Sequence, residues 1–120
     1  TPAYDLPNEK DASPNVALGK GASVYVMDSR TIQDPRLVAH LMATGDARGI
    51  RYQVRQPGGG GTNTGAIQRA GAGIPVATLA VPGRYAHTPT MMISLDDYES
   101  VVRLADAALR SLTPEIIRRG

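Results

Sequence analysis

The sequence contains no cysteine, no phenylalanine and no tryptophan, and its formal net charge is only +2. The absence of cysteine excludes disulfides and thiolate metal sites. So small a charge gives no support for a nucleic-acid partner. Tyrosine is the sole aromatic residue, so the core must be built from aliphatic side chains and methionine.

Long hydrophobic runs are absent too. No apolar stretch approaches the roughly 20 residues that cross a bilayer, and residues 1–15 lack the apolar segment of a signal peptide. We therefore expect a cytoplasmic protein that has neither a membrane nor a nucleic-acid partner. The length of 120 residues suits one domain with one core.

After a predicted loop over residues 1–15, strand and helix patterns alternate along the chain. Strands are predicted at Ala22–Met27, Arg51–Arg55 and Ile74–Val81, the last apolar enough to be buried on both faces. A long loop is predicted over Pro82–Met91. This order predicts an α/β layered unit with at least one crossover, and a thin sheet completed by strands from elsewhere.

Three helices and a final helical turn are predicted from spacing and capping residues. The first runs from Pro35 to about Ala47, with Asp34 as its N-cap and Gly49 at its end. Thr62 or Asn63 can cap a short second helix that reaches Ala70. The third has acidic residues in its first turn and an apolar stripe formed by Val101, Val102, Leu104, Ala105, Ala108 and Leu109. Thr113 and Pro114 begin the final turn.

His87 is the first candidate for chemistry, because it lies in a loop after an apolar strand, where a neutral imidazole can bind a divalent metal. The alternative is an ordinary surface histidine. His40 lies beside the apolar stripe of the first helix, which indicates a structural role. Among Asp28, Asp34, Asp96 and Asp97, Asp28 lies at the end of a strand and is the one that a helix start does not explain. These residues alone do not make a self-sufficient enzyme.

The glycine run Gly58–Gly61 is the second candidate, because glycines allow a backbone to approach another molecule closely. It matches neither a Walker phosphate loop nor a dinucleotide-binding pattern. The short helix after it offers free N–H groups to an anion or a substrate carbonyl. The alternative is a flexible surface hairpin.

Five motifs together resemble the C-terminal part of the M42 family, the glutamyl, deblocking or tetrahedral aminopeptidases. They cover nearly the whole chain and occur in the family's order with similar spacing. They are LGKG at Leu18–Gly21, MDS at Met27–Ser29, GGGT-x-x-GAI at Gly59–Ile67, GIPVATLAVP at Gly73–Pro82 and RYAHT at Arg84–Thr88.

The resemblance implies a partial three-layer α/β aminopeptidase fold of the phosphorylase/hydrolase-like type, with no second domain in residues 1–120. It implies a peptide-hydrolysing aminopeptidase with two divalent metal ions, zinc or cobalt, that forms a homo-oligomer. His87 corresponds to a metal ligand. The corresponding substrate contacts are Gly59, Gly60, Thr62, Asn63 and Arg84.

The resemblance also implies that most of the catalytic machinery precedes this sequence. The family's bridging aspartate, its general-base glutamate and its other ligands all lie upstream, so we expect no general base in this chain. The expected partner is the N-terminal part of the same protein, either joined or as a separate chain, and we expect this chain to be inactive alone. By register, the aspartate falls just before Thr1.

Two departures leave other functions open. The family commonly has Asp where Asn63 stands and often His where Gln68 stands, which leaves room for an inactive or structural paralogue. A more remote alternative is a hydrolase that uses Thr1 as an N-terminal nucleophile, with its own amine as base.

Overall fold

A computed structural model describes residues 1–3 and 16–118 of the chain. The strands in these residues are β1 (Ala22–Tyr25), β2 (Tyr52–Arg55), β3 (Leu79–Ala80), β4 (Gly83–Arg84) and β5 (Met92–Ile93). The helices are α1 (Pro35–Arg48), α2 (Thr64–Gln68), α3 (Leu95–Ser111) and α4 (Pro114–Ile117). None of the described helices has the length and apolar character that a bilayer span requires.

Strand β1 is the centre of a three-stranded sheet with the order β2-β1-β3. It pairs in parallel with β2, in a register that ends with Tyr25 opposite Arg55. It pairs antiparallel with β3, with Ser23 opposite Ala80. Because α1 connects the two parallel strands, the predicted α/β unit with a crossover is confirmed.

The core lies between β1 and the helices α1 and α3, which pack on the same face of the sheet. The described residues thus supply a sheet layer and one helix layer of the expected three-layer fold. The buried core cluster consists of Ala22, Val24, Val38, Leu41, Ile50, Leu104 and Ala108.

Helix α1 begins and ends at the predicted residues. The Asp34 side chain accepts a hydrogen bond from the Arg36 backbone N–H at 2.9 Å, and the Arg36 guanidinium contacts its second oxygen at 2.6 Å. These hydrogen bonds lower the pKa of the Asp34 carboxyl, with the Arg36 side chain as the largest cause. Gly49 ends the helix with a φ of 62°. His40 is structural as predicted, since its Nε2 lies 2.9 Å from the Ala108 carbonyl oxygen on α3.

Two carboxylates outside α1, those of Asp28 and Asp97, also have structural partners. Asp28 closes the turn after β1, because its Oδ1 accepts from the backbone N–H groups of Arg30 and Thr31. Asp97, which is only 1% exposed, reaches back from the first turn of α3. Its two oxygens accept from the N–H groups of Gly19 and Gly21, each at 2.8 Å. This contact ties the loop before β1 to α3, which the sequence pattern did not predict.

The prediction of a buried strand over Ile74–Val81 was wrong. Only Leu79 and Ala80 pair as a strand, and most of the run is half-buried. Pro75 has no N–H to donate to a ladder, and β1 is the sole neighbour of β3 in this sheet.

Two predicted loops contain paired backbone. The loop predicted over Pro82–Met91 contains β4, which forms a hairpin with β5. Within the predicted loop over residues 1–15, Thr1–Ala3 runs parallel to Val81–Gly83, with the Ala3 N–H donating to the Gly83 carbonyl at 2.8 Å. Residues 4–15 lie outside the described part of the chain.

Helices α2 and α3 also differ from their predictions. Asn63 precedes α2, but no hydrogen bond from its side chain caps the helix, which ends at Gln68 rather than Ala70. In α3, Leu104 and Ala108 are buried as expected, whereas Val102 and Leu109 are exposed. The apolar stripe is therefore wider than the surface that the described residues cover.

The Asp97 contact predicts a specific stability loss. In the complete protein, we expect Asp97→Asn to lower the free energy of unfolding by about 1.5–3 kcal/mol, the typical value for hydrogen bonds to a charged group. The Asn side chain keeps one acceptor oxygen, but its NH₂ group replaces the second oxygen and faces a glycine N–H from which it cannot accept a hydrogen bond. Thermal and urea unfolding would measure the loss. Asp96→Asn, an exposed change in the same helix turn, is the control, and equal stability of the two variants would contradict this role.

Candidate active-site cleft

A cleft of about 350 Å³ opens where the parallel strands β1 and β2 end. Binding sites in α/β sheets commonly lie at the carboxyl ends of strands, and this volume is at the lower end of the usual range for ligand pockets. The cleft is lined by Thr1, Pro2, Tyr25, Arg55, Gly59, Gly60, Gly61, Thr62, Ala86, His87 and Met91. It therefore brings together both loops that the sequence singled out.

The glycine run is held by its carbonyl groups. Both the backbone N–H and the hydroxyl of Ser29 donate to the Gly60 carbonyl, at 2.9 and 2.6 Å. Arg55 donates from Nη2 to the Gly59 carbonyl at 3.0 Å. Gly61 packs so closely on Arg30 that a Cβ would lie 2.7 Å from the Arg30 Cδ. The run is thus fixed to the loop after β1 and to the end of β2.

Arg55 is the most unusual residue of the cleft. It is only 4% exposed, and its guanidinium lies 4.5 Å from the centre of the Tyr25 ring, a cation–π distance. Its Nε and Nη1 atoms have no hydrogen-bond partner among the residues that the structure describes. Arg55 is not among the site residues predicted from the sequence; its one signal there is an arginine at the last strand position before the glycine run.

His87 is exposed on the opposite loop, after β4, and lines the cleft. Tyr85 and His87 both have left-handed backbones, with φ of 62° and 63°. Non-glycine residues rarely adopt this conformation. The Thr88 hydroxyl supports the turn, since it lies 2.6 Å from the Tyr85 carbonyl oxygen and 3.0 Å from that of Thr90.

Thr1 forms part of the cleft wall at the edge of the sheet. Its nitrogen donates to the Val81 carbonyl at 2.9 Å, and its carbonyl accepts from the Gly83 N–H at 2.7 Å. Because the nitrogen donates within a strand pairing, its geometry is that of a sheet residue. A nucleophilic role for Thr1 stays a prediction.

The predicted site residues fall into two groups. Gly59, Gly60, Thr62 and His87 line the cleft, whereas Asn63 and Arg84 are not among its lining residues. Asn63 lies at the start of α2 and Arg84 within β4.

The described residues do not contain a complete metal centre. They include no group of three or more His, Asp or Glu side chains that could hold an ion. His87 is the sole residue of these types in the cleft lining, and structural metal sites generally need about four protein ligands and catalytic sites about three. A two-metal site therefore does not fit within this part of the chain, although His87 could supply one ligand.

The sequence profile of the M42 glutamyl aminopeptidases matches residues 1–104. The chain belongs to this family. It is 32% identical over 113 residues to the protein FrvX of Escherichia coli (strain K12), covering 94% of this chain and 32% of FrvX. The M42 chain thus spans about a third of the length of this curated relative.

Solved structures agree with the family assignment. The aminopeptidase APDkam598 from the archaeon Desulfurococcus kamchatkensis superposes with a TM-score of 0.92 at 29% sequence identity. The match covers 98% of this chain and 34% of the APDkam598 chain. The TET1 peptidase of Pyrococcus horikoshii, which can assemble into a tetrahedron or a large octahedral shell, gives a TM-score of 0.72 at 30% identity. That match covers 82% of this chain and 28% of TET1. The expected partial α/β aminopeptidase fold is confirmed.

The glycine run offers a test of its backbone geometry. Gly60 has a φ of +81°, and an added Cβ would meet no atom within 4 Å. We expect Gly60→Ala to destabilise the complete protein by about 1 kcal/mol through backbone strain alone. Gly59→Ala is the matched control, because its Cβ also enters open space at an ordinary φ. Thermal unfolding of both variants measures the difference, and equal melting temperatures would refute this account of Gly60.

Proposed function

We propose that this chain is the C-terminal part of a metal-dependent aminopeptidase that removes N-terminal residues from peptides. The observation that carries the proposal is the cleft, which gathers the glycine run and His87 of an M42 sequence at the end of a parallel strand pair. The chain alone is inactive in this proposal, because its described residues lack a general base and a complete ligand set.

His87 would supply one metal ligand. The residue is exposed and lines the cleft, and the Thr88 hydroxyl supports the unusual backbone of its loop. Two divalent ions, zinc or cobalt, would activate a water molecule and polarise the scissile carbonyl when bound. The remaining ligands and the general-base glutamate are proposed to come from the N-terminal part of the protein.

The glycine run would lie along the substrate backbone. Gly59 and Gly60 have no side chains to obstruct a peptide, and their carbonyls are already engaged by Arg55 and Ser29. Thr62 continues the same wall. Asn63 and Arg84, which lie outside the cleft lining, remain proposed contacts for a longer substrate or a closed form of the site.

The N-terminal part of the same protein is the proposed structural partner, in one chain or as a separate one. Thr1–Ala3 pairs in parallel with Val81–Gly83, so a chain entering at Thr1 would run beside the edge of β3 that faces away from β1. A second support is a row of exposed apolar side chains on α3, whose members follow one another at intervals of one to two helical turns. The row consists of Leu95, Tyr98, Val102 and Leu109. Such a row commonly packs against another element.

Assembly and location complete the proposal. A homo-oligomer is proposed from the likeness to TET1, whose assembly into shells is known for that protein. A cytoplasmic location stays a prediction, as do the absence of membrane and nucleic-acid partners and the residue 1–120 domain boundary.

The ligand role of His87 is tested in the complete protein. We expect His87→Ala to bind fewer metal ions and to lose at least about 100-fold in kcat, since direct ligands matter at least as much as the groups that orient them. Metal analysis by mass spectrometry and peptide hydrolysis provide the two measurements. His40→Gln is the control, because Gln can still donate to the Ala108 carbonyl.

These measurements also test the ligand assignment of His87 against the alternative of an inactive paralogue. Unchanged metal stoichiometry and activity in His87→Ala would refute the ligand assignment. An unmodified protein that binds fewer than two metal ions and hydrolyses no peptide would favour the inactive paralogue that Asn63 and Gln68 leave open.

A further inference from the structure

Arg55 is a buried cation for which the described residues provide no anion. Its Nη2 donates to the Gly59 carbonyl, while Nε and Nη1 are buried without a hydrogen-bond partner in the described part of the chain. Burying a charge without an opposite charge is strongly unfavourable, and unpaired buried donors add to the free-energy cost. A partner for this guanidinium is therefore expected outside the described residues.

The strand register places Arg55 on the sheet face opposite α1 and α3. Successive side chains of a strand point to opposite faces, and Ala22 and Val24 of β1 belong to the core on the helix side. Ser23 and Tyr25 therefore point to the other face, where the Arg55 guanidinium lies over the Tyr25 ring. The Ser23 hydroxyl is buried there and also has no hydrogen-bond partner among the described residues. In a three-layer fold this face receives the second helix layer, which the described residues do not supply.

A segment that precedes Thr1 would enter the fold beside Arg55. Thr1 and Pro2 line the cleft together with Arg55, whereas the next residue does not. Because Thr1–Ala3 runs parallel to Val81–Gly83, such a segment would pass the cleft first and leave it after Pro2. The chain matches only 32% of the length of FrvX, so a complete protein of that size has ample chain to cover the face opposite the helices.

We propose that Arg55 forms an ion pair with a carboxylate of the N-terminal part of the same protein and so anchors that part on the sheet face opposite α1 and α3. The inference rests on the proposed N-terminal partner and names the contact that holds it at the cleft. Arginine suits this role because it stays charged when buried and its planar donors match the two oxygens of a carboxylate. Nε and Nη1 are already shielded from solvent, so a side chain that packs there as the protein folds suits them better than a ligand that exchanges with solvent. Arg55 is thus a positioning residue.

The test measures the sign of a stability change in the complete protein with its metals. Arg55→Met keeps an unbranched apolar stem but removes the charge, which leaves the partner carboxylate buried and unpaired. We expect the equilibrium constant for unfolding in urea to rise by at least about 100-fold, the loss typical of breaking a buried pair. Arg55→Lys keeps the charge and should lose less than Arg55→Met, whereas a role in packing alone would rank the two variants the other way. Arg48→Met removes an equal charge at the exposed end of α1 and should change the constant by less than about threefold.

Two further measurements identify the source of the anion. Neutralising the acids of residues 4–15 together, as Asp5→Asn, Glu9→Gln and Asp11→Asn, should leave the cost of Arg55→Met unchanged. Disappearance of that cost would assign the partner to residues 4–15 and overturn the proposal. Inorganic phosphate is the probe for a free anion and should shift the stability of the unmodified protein and of Arg55→Met alike. Stabilisation by phosphate that requires Arg55 would assign the guanidinium to a ligand from solution and would also overturn the proposal.

An Arg55→Met protein with unchanged or higher stability would refute the ion pair. If no carboxylate faces Arg55, the substitution removes an unpaired buried charge, and the protein becomes more stable. None of these measurements uses peptide hydrolysis, so an inactive paralogue could carry the ion pair and an active aminopeptidase could lack it. Failure of this inference is therefore distinguishable from failure of the proposed function.

Discussion

The pairing of β1 on both of its edges is the constraint on which the rest of the structure depends. Its parallel pairing with β2 places Tyr25 opposite Arg55, and so sets the floor of the cleft at the ends of two strands. Its antiparallel pairing with β3 directs the chain back along the sheet toward β4 and the His87 loop. The two loops therefore meet because of the backbone hydrogen bonds that pair these strands. A slip of one residue in either pairing would turn Arg55 to the other face or move the His87 loop away from the glycine run.

Backbone groups do most of the positioning around the cleft. Gly59 and Gly60 are held through their carbonyls, and Thr88 supports the left-handed turn before it. Few side-chain groups in the cleft therefore stay available to a ligand or to a partner segment, chiefly the exposed His87 and the edge of the Arg55 guanidinium. Such an arrangement would suit the proposed peptide site, because orientation contributes to rate only when the groups that hold a substrate are themselves rigid.

Much of this fold could be predicted from local sequence signals. The Asp34-Pro35 start and Gly49 end of α1 are local capping chemistry, and the structure reproduces both. The exception was Ile74–Val81, where apolar composition reports burial tendency but not whether a pairing partner exists. Asp97 shows a second limit, since acids at helix starts are expected from the dipole alone, whereas its contacts with Gly19 and Gly21 span 78 and 76 residues. Long-range partners of this kind cannot be read from spacing.

The candidate site shows the same difference between residues with a local sequence signal and residues without one. His87 and the glycine run could be found because family resemblance and unusual composition mark them, whereas Arg55 looks like an ordinary strand residue until its burial is known. In an alternating strand, an arginine normally indicates the solvent face. Its burial here depends on the Tyr25 ring and on the loop that follows, two features that no local pattern contains. A buried charge that violates the expected pattern, and that has no anionic partner among the described residues, marks a place where a partner from outside them should be sought.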